Sequence, residues 1–175
     1  MRKLKNEELN RLSTEEFRRA KKFPVVLVLD DIRSAMNVGA AFRTADAFGV
    51  EKVYLCGITA IPPHREINKT ALGAQDAVSW EYEKSINLCL KQLKKEGYQL
   101  IAVEQADEST SLFDFQVREE EQYAFVFGNE VFGVNDDVVK YADIVLEIPQ
   151  YGTKHSLNIS VCVGVILWDL LSKKK

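Results

Sequence analysis

The sequence predicts a single α/β domain built on a mainly parallel sheet flanked by helices, and three observations predict it. The runs Val25-Val26-Leu27-Val28-Leu29 and Tyr123-Ala124-Phe125-Val126-Phe127 are continuously apolar, as expected of strands buried on both faces of a parallel sheet. Segments with helical spacing alternate with such runs along the chain. The 175 residues suffice for one proper core and leave little room for a second.

Taken in order, residues 7–21 read as a charged surface helix, with Ser13-Thr14-Glu15-Glu16 fitting a capping box where it restarts. Residues 1–23 are therefore expected to form a helical extension ahead of a domain spanning 24–175. Pro24 precedes the first strand, which ends at Asp30-Asp31. Asn37 begins a helical pattern that places Val38, Ala41, Phe42, Ala45 and Phe48 on one face, and Gly49 closes it. Val53 to Cys56 is the next strand. Residues 57–80, with Pro62-Pro63 and polar spacing, read as irregular.

Ser85 to Glu96 form a helix ending at Gly97, and Gln99 to Val103 a strand. Gly128 stops the strand at 123–127, Asp136 to Tyr141 is a short helix, and Ile144 to Ile148 a last strand. A loop punctuated by Pro149 and Gly152 follows, in which Ser156 or Asn158 can cap the next helix. From Ile159 to Leu171 the polar residues are Ser160 and Asp169 alone. A helix so apolar is covered on nearly every side, whereas a single core covers one stripe, so its second face is expected to be a subunit interface.

Composition narrows the function. Hydrophobic residues at 46% and charged residues at 28% are those of a soluble globular protein, and no apolar run approaches the ~18 residues of a membrane span. The first residues lack the apolar core of a signal peptide. Cys56, Cys89 and Cys162 are odd in number and lie in apolar segments, which reads as buried reduced thiols in a cytoplasmic protein. A net charge of −3 weighs against a nucleic-acid binder, although basic clusters occur at Arg18 to Lys22, His64-Arg65 with Lys69, Lys154-His155 and Lys173 to Lys175.

Ligands of parallel α/β sheets gather at the carboxyl ends of strands. Polar loops stand at three such ends, Asp30 to Arg43, Gly128 to Gly133 and Pro149 to Asn158. No G-x-G-x-x-G follows a strand, and Gly128-Asn129-Glu130-Val131-Phe132-Gly133 lacks the Lys-Ser/Thr of a phosphate loop. G-x-S-x-G does not occur, and the two histidines are not at ligand spacing, so neither a nucleophile elbow nor a catalytic metal is expected. Binding and positioning remain.

Three motifs then stand out: Asn37-x-Gly39-x-x-x-Arg43-Thr44-Ala45, Phe127-Gly128-Asn129-Glu130-x-x-Gly133, and Ile148-Pro149-x-x-Gly152-x-x-x-Ser156-Leu157-Asn158-x-Ser160. In this order they resemble the SpoU (TrmH) family of RNA ribose 2′-O-methyltransferases, within the SPOUT superfamily, and the resemblance runs from about Val25 to Leu170. It implies an α/β domain with a C-terminal trefoil knot, S-adenosylmethionine as cofactor, RNA as partner, and a homodimer joined partly through the last helix. It implies cofactor contacts at Phe127, Gly128, Asn129, Ile148, Pro149, Gly152, Ser156 and Leu157. Arg43 is implied to contact RNA phosphate. A literal base role sits badly with a guanidinium pKa above ~12, so a clamp that orients the ribose fits better. Asn37, Glu130, Ser156 and Asn158 are implied to shape the site around Arg43, the cofactor or the ribose.

Each of these residues also has a plain structural reading: Asn37, Ser156 and Asn158 as helix caps, Glu130 as a solvated loop carboxylate, Arg43 as a surface arginine. Lys154 and His155 depart from the apolar residues of many relatives and are expected to touch RNA phosphate or the cofactor carboxylate. The Glu96 to Gln105 stretch, with Ile148-Pro149-Gln150, resembles the tRNA-guanosine branch. Two other readings stay open: a knotted module that binds RNA or cofactor without turnover, and a SPOUT enzyme acting on a base nitrogen.

Overall fold

The structure, a computed structural model, describes residues 1–174, so Lys175 of the terminal basic cluster lies outside the described residues. Seven strands form one sheet in the order β3-β2-β1-β6-β4-β7-β5, and every neighbouring pair is parallel. The strands are β1 (Phe23–Asp30), β2 (Val50–Cys56), β3 (Ser79–Glu83), β4 (Tyr98–Val103), β5 (Thr110–Ser111), β6 (Gln122–Phe127) and β7 (Ile144–Glu147).

Alternate residues of the central strands feed two separate cores, which is why their sequences are apolar throughout. Val25, Leu27 and Leu29 of β1, with Phe125 and Phe127 of β6, pack under α2 (Ala35–Ala47), α3 (Arg65–Ala71) and α7 (Ile159–Lys173). Val26, Val28, Ala124 and Val126 face the other way, against α5 (Ile86–Lys95) and α6 (Asp136–Tyr141). Helices thus cover both faces of the sheet. The remaining helices, α1 (Thr14–Arg19) and α4 (Ala74–Ala77), touch one another, and the Arg18 guanidinium donates to the Asp76 carbonyl.

Two expectations need correction. Residues 57–80 are not irregular: they contain α3, α4 and the start of β3. These helices are too short to show a periodic stripe; α3 buries Ile67 and Ala71 alone. Residues 7–21 are not one helix: a 3-10 turn at Asn6–Leu9 is separated from α1 by Asn10, whose φ of 45° breaks the run. The Ser13 capping box does open α1, with Ser13 and Glu16 exchanging hydrogen bonds.

Gly39 fixes the crossing of α2 and α3. A Cβ at this position would lie 2.1 Å from Thr70 Oγ1 and 2.5 Å from the Ile67 carbonyl, so the two backbones touch where only glycine fits. Thr70 Oγ1 donates to the Met36 carbonyl at 3.0 Å and closes the same contact. At the far end of the chain, α7 buries Ile159, Val163, Ile166, Leu167 and Leu170. Its last turn is tied down by Lys173, whose ammonium donates to the Leu112 and Phe115 carbonyls and pairs with Asp169 at 2.8 Å. On its other side Val161, Trp168 and Leu171 are exposed, Trp168 at 64%.

Candidate active site

The carboxyl ends of β1, β4, β6 and β7 share one edge of the sheet, and the loops after β4, β6 and β7 enclose a cavity of about 700 Å³. Its floor is apolar, formed by Val103, Phe127, Leu146 and Ile148. One wall is the 128–134 loop after β6, and the facing wall is the 155–159 segment that leads into α7.

The loop after β6 is held by its own polar residues. Asn129 donates from Nδ2 to the Asp31 carbonyl at 2.8 Å and accepts the Val131 and Phe132 N–H groups on Oδ1. The Gly133 N–H returns to the Asn129 carbonyl at 2.8 Å. Gly128 lies so close to Gly133 that a Cβ would sit 2.2 Å from the Gly133 carbonyl oxygen. Gly133 takes a φ of +70°, which favours glycine, with the Glu104 carboxylate against its open side.

Three strand-end loops meet through one line of side chains. The Glu130 carboxylate accepts the N–H groups of Arg33 and Ser34, at 2.9 and 3.0 Å, at the positive end of α2. A carboxylate only accepts, so Asn37 turns its Nδ2 toward it, at 3.0 Å. That leaves Asn37 Oδ1 to accept from Asn158 Nδ2 at 3.1 Å. Asn158 Oδ1 in turn accepts from Ser160, taking its N–H at 2.8 Å and its hydroxyl at 2.7 Å, and so caps α7. Each amide has one possible orientation, dictated by the acid at the head of the line.

The electrostatics follow from these contacts. Burial pushes the Glu130 carboxyl up, but hydrogen bonds from Arg33, its own N–H, Asn37 and Ser34 outweigh it and hold the group below its usual range. Glu130 is thus an anion with both oxygens committed, a brace and not a free base. Cys162 also borders the cavity, and burial pushes its thiol up to about 11, with the Glu104 charge adding to the rise. It is protonated at neutral pH and unsuited to nucleophilic chemistry.

The residues singled out by sequence fall into three groups. Glu130, Asn37 and Asn158 are joined directly. Phe127, Gly128, Asn129, Ile148, His155, Ser156 and Leu157 line the cavity. Arg43, Pro149, Gly152 and Lys154 are not part of that lining, and Arg43 stands exposed on α2 outside the hydrogen-bonded line. Asn37 is not the cap of α2; Ser34 is, accepting the Asn37 N–H at 3.3 Å.

Sequence reasoning gave no role at the site to Glu104 and Gln105, at the end of β4. Glu104 accepts the Val134 N–H at 2.8 Å, and Gln105 Nε2 donates to the His155 carbonyl at 2.7 Å. The available signal was their position, two polar residues at a carboxyl strand end. Among the described residues no group of three His, Cys, Asp or Glu side chains could hold a metal ion, and no helix is long and apolar enough to cross a membrane.

Residues 24–168 match the model of the SpoU rRNA Methylase family. The chain is 31% identical over 144 residues to a 23S rRNA (guanosine-2′-O-)-methyltransferase of Neisseria meningitidis serogroup B, covering 82% of this chain and 56% of that protein. To a tRNA (guanosine(18)-2′-O)-methyltransferase of Borreliella burgdorferi it is 28% identical over 149 residues, 85% of this chain and 66% of the relative. The chain therefore spans between about half and two thirds of the length of these relatives. Among solved structures, the TrmH/SpoU tRNA modifying enzyme of Aquifex aeolicus superposes with a TM-score of 0.79 at 26% identity, over 92% of this chain and 82% of that one.

Proposed function

The chain belongs to the SpoU rRNA methylase family, and on that premise we propose that it transfers a methyl group from S-adenosylmethionine to a ribose 2′-hydroxyl of RNA. The observation that carries the reading is the line Glu130–Asn37–Asn158, which joins the three motif loops at the rim of one cavity. A site built to align two reactants needs such rigidity, because in-line displacement gains most from fixed geometry.

The cavity suits the cofactor. It offers an apolar floor, the close-approaching backbone at Gly128, and a wall at Ser156 and Leu157 whose backbone N–H groups have no partner among the described residues. S-adenosylmethionine supplies a methyl already activated on a sulfonium. The protein then has to exclude water, hold the ribose in line and favour loss of the hydroxyl proton.

Asn158 and Asn37 are spent on positioning, which supports Arg43 as the group that meets the RNA. Its guanidinium is exposed and has no ion pair among the described residues, so a phosphate can take it in bidentate fashion. Lys154 and His155 stand on the exposed loop beside the cavity, where Lys154 supplies a further cationic contact and the His155 ring a hydrogen bond. A homodimer through the bare side of α7 belongs to the same reading, as does the trefoil knot. In support of the knot, the chain leaves β7 on the far side of β4 and returns to meet Asn37 beside β1.

We take tRNA as the first substrate to test, from the likeness of 96–105 to the tRNA-guanosine branch; the relatives' names include both tRNA and 23S rRNA. Radiolabelled methyl from S-adenosylmethionine is offered to separate tRNA and rRNA pools, with wild type beside Arg43→Ala. Label is expected in the tRNA pool as 2′-O-methylnucleotide, reduced at least a hundredfold in the variant, as for loss of a transition-state contact. Cofactor binding without label in either pool would point to a silent binding module, and label on a base nitrogen would place the chain with the other SPOUT enzymes.

A further inference from the structure

Glu104 and Gln105 are adjacent in sequence, yet they grip opposite walls of the cavity, Glu104 through Val134 and Gln105 through His155. The second grip is the more consequential, because of how little else holds its loop. From Pro149 to Leu157, among the described residues, the His155 carbonyl is the one backbone group hydrogen-bonded to a nitrogen or oxygen partner. A sulfur contact at 3.9 Å from Cys162 to the Leu157 carbonyl is the other tie. Tyr151 to Asn158 are exposed throughout. The segment is thus suspended between two anchored ends, β7 and the Asn158 cap, with one short tie between them. Few contacts and exposed backbone are the marks of a segment that opens locally at low cost.

We propose that Gln105 is a positioning residue whose side-chain amide latches the 149–157 loop into the conformation that walls the cavity, and so sets how tightly S-adenosylmethionine is held. The inference rests on the functional reading above. The His155 carbonyl can only accept, so residue 105 must donate; glutamine does so and a glutamate of the same length does not. With the latch gone the closed loop is a smaller fraction of the population, and apparent cofactor affinity falls by that fraction.

Tyr151 is exposed within the loop, so chymotrypsin reports its opening. The full chain, as wild type, Gln105→Glu, Gln105→Ala and Gln105→Lys, is digested with chymotrypsin under native conditions, and the fragment beginning at Gly152 is followed by mass spectrometry. S-adenosylmethionine affinity is measured in parallel, with the thermal midpoint of each variant. The Glu and Ala variants are expected to be cut about fivefold faster and to bind S-adenosylmethionine about fivefold more weakly, the scale of one lost hydrogen bond. The thermal midpoint stays at its wild-type value, and Gln105→Lys, which restores a donor, moves both cleavage and S-adenosylmethionine affinity back toward wild type. Equal cleavage of wild type and Gln105→Glu would overturn the latch, as would a thermal midpoint that falls in step with cleavage. If wild type fails to bind S-adenosylmethionine, the functional reading fails, while the cleavage comparison still decides whether Gln105 holds the loop.

Discussion

Asp30 ends β1 on the face that Val26 and Val28 share, and it is 6% exposed. Burial, with the Asp31 charge adding to it, pushes its carboxyl from 3.8 up to about 6. Between those values the folded chain keeps a proton that the unfolded chain releases. Stability is therefore full below about pH 4, falls as pH rises toward 6, and stays lower above it. Asp30→Asn, which keeps the shape without the charge, is expected to gain about 2–3 kcal/mol at pH 8 and almost nothing at pH 4, measured by urea unfolding at both. Glu130 shows the opposite outcome: hydrogen bonds overcome its burial and keep it charged. Neither result was readable from the sequence. Asp30 was visible as a strand end, and Glu130 as a motif residue. Whether a carboxylate meets three N–H donors or an apolar wall depends on which distant loops arrive beside it.

Among the elements, the crossing of α2 and α3 makes the sharpest demand on one residue. Alanine at Gly39 would gain about 1 kcal/mol of helix propensity but would drive its Cβ into the Ile67 carbonyl and Thr70, an overpacking cost of about 1–3 kcal/mol. The steric term is the larger, since one of the two atoms is backbone. Gly39→Ala is expected to lower stability by up to about 2 kcal/mol in urea unfolding, and Thr70→Ala in the same chain, by removing one clash, to return part of the loss. A Gly39→Ala chain more stable than wild type would refute the tight crossing. The glycine was legible as part of a motif, but its physical reason was not, because α3 was invisible. The central strands and the long helices, by contrast, could be read directly: β1, β6 and α5 carry their burial in their residue pattern.

For the whole molecule, the bare side of α7 is the main unfinished surface. Trp168 is 64% exposed, with Val161 and Leu171 beside it, on a helix whose other side is core. A second copy covering this side would explain why the helix is apolar all round, and charge placed at its centre would split the pair. Trp168→Glu is expected to halve the mass seen by light scattering and to weaken the dimer by at least a hundredfold, the effect of losing an aromatic anchor. An unchanged mass, or a wild-type monomer, would count against the proposed dimer. The mainly parallel α/β architecture was legible at this scale from the apolar strand runs, and the apolar excess of 159–171 from composition alone. The walls of the cavity at 128–133 and 155–158 were legible as polar strand-end loops, but the part played by Glu104 and Gln105 was not, because it depends on loops some twenty to fifty residues away in the chain.

The strand order has a consequence for how the chain is made. β1 lies beside the central strand of the sheet, β6, which is not complete until residue 127. Until then a ribosome-bound chain holds β1, β2 and β3 with an open, strongly apolar edge, and α7, which shares the covering of one face with α2 and α3, emerges later still. Pairings so distant in sequence are slow to close. From β1 to β6 the nascent chain is therefore an incomplete sheet, the state in which a chaperone's protection matters most.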